Sequence, residues 1–363
     1  MNMKGFTRRH AIRLLGLGAA SAVVGKATNL PLWAASAAQR AQETIPAGAI
    51  VRTVLEDIRP ESLGTGAVLL HEHLSWLGKA RTTEKDDVKE LVELMNRAAS
   101  AGVSCIADAG GDDTGRDIET LRQAARQSHV HIVASVGLYM ERTYPAGLAT
   151  QSEDQIADAL IQKASAYRCG ALGEIGESPD QPLDALERKV LRAFGKAHVQ
   201  TGLPIRTHTA YGTGPHVPQD AGLVQLDVLE STGVAPQHVL IGHVCCDDDP
   251  KVEAAKAIAK RGAFVGFDRV TFMNYISDDK RVRMVLAMLD AGYGDKLILS
   301  SDFASQIKGS QMWAPSIEQG VGYERTLTVF VPMLRKAGVS EGVVKDLTSN
   351  NPRRLIAFVP KRA

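Results

Sequence analysis

Two histidines two positions apart close an apolar run in "AVLLHEH", residues 67–73: His71 and His73. Side chains two apart on a strand share a face, so both imidazoles would meet the same space while Glu72 points to the other side. Other residues of metal-ligating type sit at the ends of later apolar runs: Glu174 in "ALGEIGE", His208 in "PIRTHTA", His243 in "VLIGHV" and Asp302 in "LILSSD". Four neutral imidazoles with two carboxylates suit two divalent first-row ions, with zinc the default for such a nitrogen and oxygen set. Two dications, the two carboxylates and a bridging hydroxide would leave one positive charge beside any anionic transition state. Each residue alone has a plain structural role. A strand histidine serves as a hydrogen-bonded core residue, Asp302 could cap a helix, and Glu174 could pair with Arg206. Their agreement in position is what singles them out.

The elements that would hold these residues follow from periodicity. Eight short apolar runs alternate with stretches of helical spacing such as "KDDVKELVELMNRAASAG", "RDIETLRQAARQS" and "LDALERKVLRAFGKAHVQTG", the last ending in Gly202. Near-continuous apolar strands, each followed by an amphipathic helix, predict a parallel sheet closed into a (β/α)8 TIM barrel. An open doubly wound sheet is the alternative, but no Gly-x-Gly-x-x-Gly follows the first strand. In such barrels the C-terminal strand ends carry the site, and all six residues fall there. His129, His131 and His238 lie at strand starts and His198 in a helix, while His216, in the fifth loop, is a weaker candidate for substrate contact.

The first 37 residues differ from the rest. A basic start with Arg8-Arg9 precedes a short run rich in Gly and Ala, ending at "WAASA". That order predicts a twin-arginine signal peptide over 1–37, cleaved after Ala37, and one hydrolase domain over 38–363. The apolar run is too short to anchor the chain in a membrane. Export by the twin-arginine machinery would place the protein in the periplasm or outside the cell. The whole chain of 363 residues carries +1; without the leader's five basic residues the mature chain stands at −4. That mild acidity argues against a nucleic-acid partner. Four cysteines do not make a disulfide scaffold of a chain this long. Cys105 and Cys169 read as core thiols. The adjacent Cys245-Cys246 reads first as packing, with a vicinal disulfide or a site thiol as alternatives.

With "GVSCIADAGGDDTGRD", "LPIRTHTA", "RGAFVGFDRV" and the C-terminal "NNPRRLIAF" beside the runs above, nearly all of the mature chain resembles the phosphotriesterase-like branch of the amidohydrolase superfamily. The resemblance implies a barrel with a binuclear metal centre that hydrolyses small phosphotriesters, lactones, esters or amides. It assigns His71, His73 and Asp302 to a more buried ion and His208 and His243 to an outer one. The bridge between them is a carboxylated lysine in many members and would be Glu174 here, as in some related proteins. A hydroxide bridging the ions would attack, and Asp302 would take its proton and pass it toward the leaving group. Family members are often dimers, so the resemblance also implies a homodimer.

Two departures bear on the substrate. In phosphotriesterase itself an Asp and a His relay protons outward from the positions held here by Cys246 and Arg269. That points away from phosphotriesters and toward a small lactone, ester or amide. The organophosphate triester hydrolase is the rival within the class, and a metal-bearing binding protein without turnover the rival outside it. Arg269 would suit an anionic substrate or form an ion pair with Asp247 or Asp268. Tyr139, at the end of the third strand, falls where the family places an aromatic beside the pocket. Trp313 lies in an eighth loop long enough to line it.

Overall fold

The structure, a computed structural model, describes residues 44–74, 85–179, 182–212, 217–271, 276–304 and 322–361. Its centre is a run of parallel strands: Ala67–Glu72, Val103–Asp108, His131–Val133 continuing in Ser135–Leu138, Ala171–Gly176, Ile205–His208, Val239–Ile241, Phe264–Phe267 and Leu297–Leu299. Each pairs in parallel with its neighbours. The ends of the run meet around the first and eighth strands. Asp302 donates its backbone N–H to the His71 carbonyl at 2.9 Å, and His73 donates to the Phe303 carbonyl at 2.8 Å. The fold is the (β/α)8 barrel that the alternation predicts. No helix among the described residues is long and apolar enough to cross a membrane.

Helices form where the sequence supplies both an apolar stripe and an end signal. Lys85–Ser100, Ile118–Gln127 and Ala185–Thr201 match the three periodic stretches. Asp117 accepts from the Glu119 N–H at the start of the second. Asp184 and Glu187 form a reciprocal capping box at the start of the third, and Gly202 ends it in left-handed backbone, φ 78°, as glycine allows without a Cβ penalty.

Two apolar layers hold the barrel. Leu69, Ile106, Leu172, Ile205, Ile241 and Leu299 pack outward with the helices. Val68, Leu70, Cys105, Val133, Leu240 and Phe264 form a second, inner cluster closed below by Val51 and Leu355. Strict alternation would then turn His71 away from the interior that holds Leu70. A register irregularity between Leu69 and Glu72 resolves the conflict, and a second between Leu172 and Ile175 does the same service for Glu174. Such irregularities re-aim side chains beside functional sites.

Within the barrel the guanidinium of Arg206 is fully buried. It donates to the carbonyls of Leu70, Ala107 and Asp108 and to the Ser135 hydroxyl. Its hydrogen bonds tie the first three strands together below the ligand positions, so the simple pairing with Glu174 is not its role. Glu72, also fully buried, joins the seam. Its carboxylate accepts from the backbone N–H groups of Ser301 and Phe303 at 2.9 and 2.8 Å and from the hydroxyls of Ser300 and Ser301. Burial pushes the Glu72 carboxyl up to about 7 against the pull of these hydrogen bonds.

Candidate metal centre

The six residues converge at the C-terminal end of the barrel, all buried. Oε1 of Glu174 lies 3.1 Å from His71 Nε2, 2.8 Å from His208 Nδ1 and 3.0 Å from His243 Nε2. His73 Nε2 stands 3.7 Å from Oε2 of the same carboxylate and 2.9 Å from Oδ1 of Asp302. The atoms form two groups that share Glu174. His71, His73 and Glu174 have coordinating atoms within 4.8 Å of one another, and so do Glu174, His208 and His243. Asp302 adjoins the first group through His73.

Chain geometry explains how residues just past two strand ends reach this space. His243 and Asp302 both hold left-handed backbone, with φ of 61° and 52°. Non-glycine residues adopt this region at a cost of about 1–3 kcal/mol, typically where function requires it. Glu177 belongs elsewhere. It accepts from the Ala210 N–H at 3.0 Å, pinning the fourth loop to the fifth.

The chemistry of the cluster fits divalent cations. His208 Nδ1 and His243 Nε2 are 2.9 Å apart, a separation at which two imidazole nitrogens can share at most one proton. Burial works against the ionised form of Glu174, yet the neighbouring imidazoles of His71 and His208 hold its carboxyl well below the usual range. Asp302 is likewise held low, burial being outweighed by Arg269 and His73. Burial pulls His208 down to about 4. Those are metal-binding states, whereas at His71 and His243 the pull of burial is overcome by Glu174 and Asp268, which push both up, so these two imidazoles must give up a proton to bind a metal.

Arg269 is buried and donates from Nε to Asp302 Oδ2 at 2.7 Å. Its ion-pair partner is thus Asp302, and neither Asp247 nor Asp268. Tyr139 is half-buried, with its ring edge-on to His208 at a centroid separation of 4.7 Å. Its backbone N–H is bound by Asp113 at 2.6 Å. Trp313 and His216 lie outside the described residues. Cys245 and Cys246 are free thiols. Cys245 Sγ accepts the Arg269 backbone N–H at 3.4 Å and Cys246 Sγ accepts from Arg281 at 3.8 Å, which favours packing over a disulfide.

Asp268 is the residue whose part at the centre the sequence did not disclose. Fully buried, it faces Nδ1 of His71 with one oxygen and Nδ1 of His243 with the other, each at 3.0 Å. Burial opposes its ionisation, but the His243 and His71 rings hold it well below the usual carboxylate range. The available signals were its place directly after the seventh strand, at the end where such barrels carry their sites, and its match to the seventh-strand Asp that the resemblance implies.

The chain matches the phosphotriesterase family over residues 49–356. The phosphotriesterase homology protein of Escherichia coli (strain K12) is 30% identical over 300 residues, covering 79% of this chain and 97% of that one. An aryldialkylphosphatase of Saccharolobus solfataricus is 28% identical, covering 82% and 96%. An N-acetyltaurine hydrolase of Rattus norvegicus is 26% identical, covering 85% and 98%. The crystal structure of the Escherichia coli homology protein, complexed with phosphate in its active site, superposes with a TM-score of 0.70 at 28% identity, covering 80% of this chain and 99% of that one. A barrel of this topology with a buried histidine and carboxylate cluster at its mouth, matched over residues 49–356, belongs to the phosphotriesterase family and is a metal-dependent hydrolase of small molecules.

Proposed function

We propose that this hydrolase works with two divalent ions, zinc by the chemistry of its donors, and cleaves a small lactone, carboxylic ester or amide. The observation that carries the two-ion reading is the shared carboxylate: one oxygen of Glu174 within 3.1 Å of imidazole nitrogens from both groups. His71, His73 and Asp302 would hold the inner ion, His208 and His243 the outer, and Glu174 both. When bound, the ions bring the pKa of water toward neutrality and polarise the scissile carbonyl or phosphoryl oxygen. The remaining work falls to the chain. Asp302 is placed to take a proton from the attacking water and return it to the leaving group. Tyr139, beside His208, offers its hydroxyl to the substrate oxygen.

Arg269 supports the preference for carboxyl substrates. A guanidinium cannot accept a proton, so the proton on Asp302 is retained for the leaving group instead of passing outward. Amines and alkoxides need that proton most. The relatives named N-acetyltaurine hydrolase speak for the amide branch, the one named aryldialkylphosphatase for phosphotriesters. The leader supports a proposal of twin-arginine export of the folded protein to the periplasm, and the family's habit supports a dimer.

The test is elemental analysis of purified mature protein with a panel of lactones, esters, amides and phosphotriesters. Two ions per chain and higher kcat/KM on a carboxyl substrate are expected; faster phosphotriester turnover would reverse the substrate assignment. Because Glu174 supplies its charge without carbon dioxide, zinc should reactivate the apoprotein equally with or without bicarbonate. Reactivation only with bicarbonate would remove Glu174 from the bridge.

A further inference from the structure

Asp268 does more than lie near two ligands. Its Oδ1 accepts the backbone N–H of His243 at 2.8 Å as well as facing that residue's Nδ1 at 3.0 Å, while Oδ2 faces His71 Nδ1 at 3.0 Å. Two glycines make room for it. A Cβ on Gly266 would stand 2.6 Å from Oδ2 and one on Gly242 3.1 Å from it. The opposite nitrogens of the same rings, His71 Nε2 and His243 Nε2, are the ones beside Glu174 Oε1, at 3.1 and 3.0 Å. The two imidazoles are therefore bracketed between a carboxylate behind and a carboxylate in front.

We infer that Asp268 is a positioning residue that fixes the ring tautomer of one ligand in each half of the centre. The inference rests on the two-ion reading above and adds to it. An imidazole that gives its Nδ1 proton to a carboxylate must present a lone pair at Nε2, the atom that would bind the ion. Oδ1 holds a hydrogen bond with His243 Nδ1, Oδ2 has His71 Nδ1 within reach of a second at 3.0 Å, and only an ionised carboxylate can accept both.

An asparagine of the same shape breaks this symmetry in a direction the structure dictates. The backbone N–H of His243 is a donor that cannot change its role, so the amide oxygen must stay at the Oδ1 position. The NH2 group then takes the Oδ2 position and points at His71 Nδ1. His71 can satisfy it only by accepting at Nδ1, which moves its proton to Nε2 and removes that nitrogen as a ligand. His243 keeps its tautomer.

Asp268→Asn should therefore retain about one zinc per chain where the wild type holds two, with the loss confined to the half built on His71. Loaded with manganese, the wild type should show the exchange-coupled electron paramagnetic resonance spectrum of an ion pair, and the variant that of an isolated ion. His71→Ala should give the same one-ion spectrum, and the double variant should lose nothing further. Gly266→Ala keeps the carboxylate but crowds Oδ2, and should weaken the inner ion by about 10–100-fold; it carries the test should the asparagine variant not fold. A coupled spectrum and two tightly held ions in folded Asp268→Asn would overturn the inference, as would equal loss of both ions. A wild-type protein holding fewer than two ions would overturn the two-ion reading first and this inference with it.

Discussion

Glu174→Ala is expected to empty both halves of the centre and to reduce kcat/KM by at least about three orders of magnitude, since metal activation of water is lost with the ligand common to both groups. The expectation follows from geometry. Imidazole nitrogens of His71, His208 and His243 all lie within 3.1 Å of the same oxygen, so truncation removes a contact from each half. It also leaves four imidazoles buried together with less negative charge to hold cations against. Elemental analysis after dialysis, with circular dichroism to establish folding, checks it. A folded alanine variant that retains two ions would show that the bridge lies elsewhere.

Asp302→Asn tests a different function on the same wall. The amide can keep an oxygen where Oδ1 stands 2.9 Å from His73 Nε2 only by setting its NH2 against the Arg269 Nε–H at the Oδ2 position, and it cannot take up a proton at neutral pH. The inner ion should be held more weakly than in the wild type, and at saturating zinc kcat should still fall by about 10²–10⁴-fold, the range for loss of a general base or acid. The loss should be larger for an amide than for a lactone or an ester with a more acidic alcohol, because the poorer leaving group depends more on the returned proton. Measuring kcat on a series of esters of graded leaving-group pKa reads this directly: a steeper dependence is expected in the variant. An unchanged slope would mean that Asp302 only binds metal.

Most of the site could be read from residue types because parallel barrels place their ligands by register. A histidine or carboxylate that ends an apolar run points to one end of the molecule, and His71, His73, Glu174, His208, His243 and Asp302 all obey that rule. What eluded the sequence depends on contacts across the barrel that periodicity does not encode. Asp268 carries no spacing that ties it to His71, almost two hundred residues earlier. Arg269 offered several acids as partners, and only the fold shows Asp302 to be the one it meets. The inward turn of His71 beside an inward Leu70 breaks the strand's own alternation, and the register irregularity that permits it has no signature in residue type. The helix end at Gly202 was legible for the opposite reason: it acts on backbone within a few positions of itself.

The seam that closes the barrel has a consequence for how the protein matures. Ser300 binds the backbone N–H of His71 across 229 residues of chain, and Phe303 binds Glu72 across 231. Those bonds flank the inner group, so His71, His73 and Asp302 acquire their mutual geometry only when the last strand has docked on the first. A nascent chain still on the ribosome with its final strand unmade owns no such pocket, whatever cation is at hand. Uptake of a cation there would thus act as proofreading, reporting that synthesis has finished and that the two ends of the sheet have found each other.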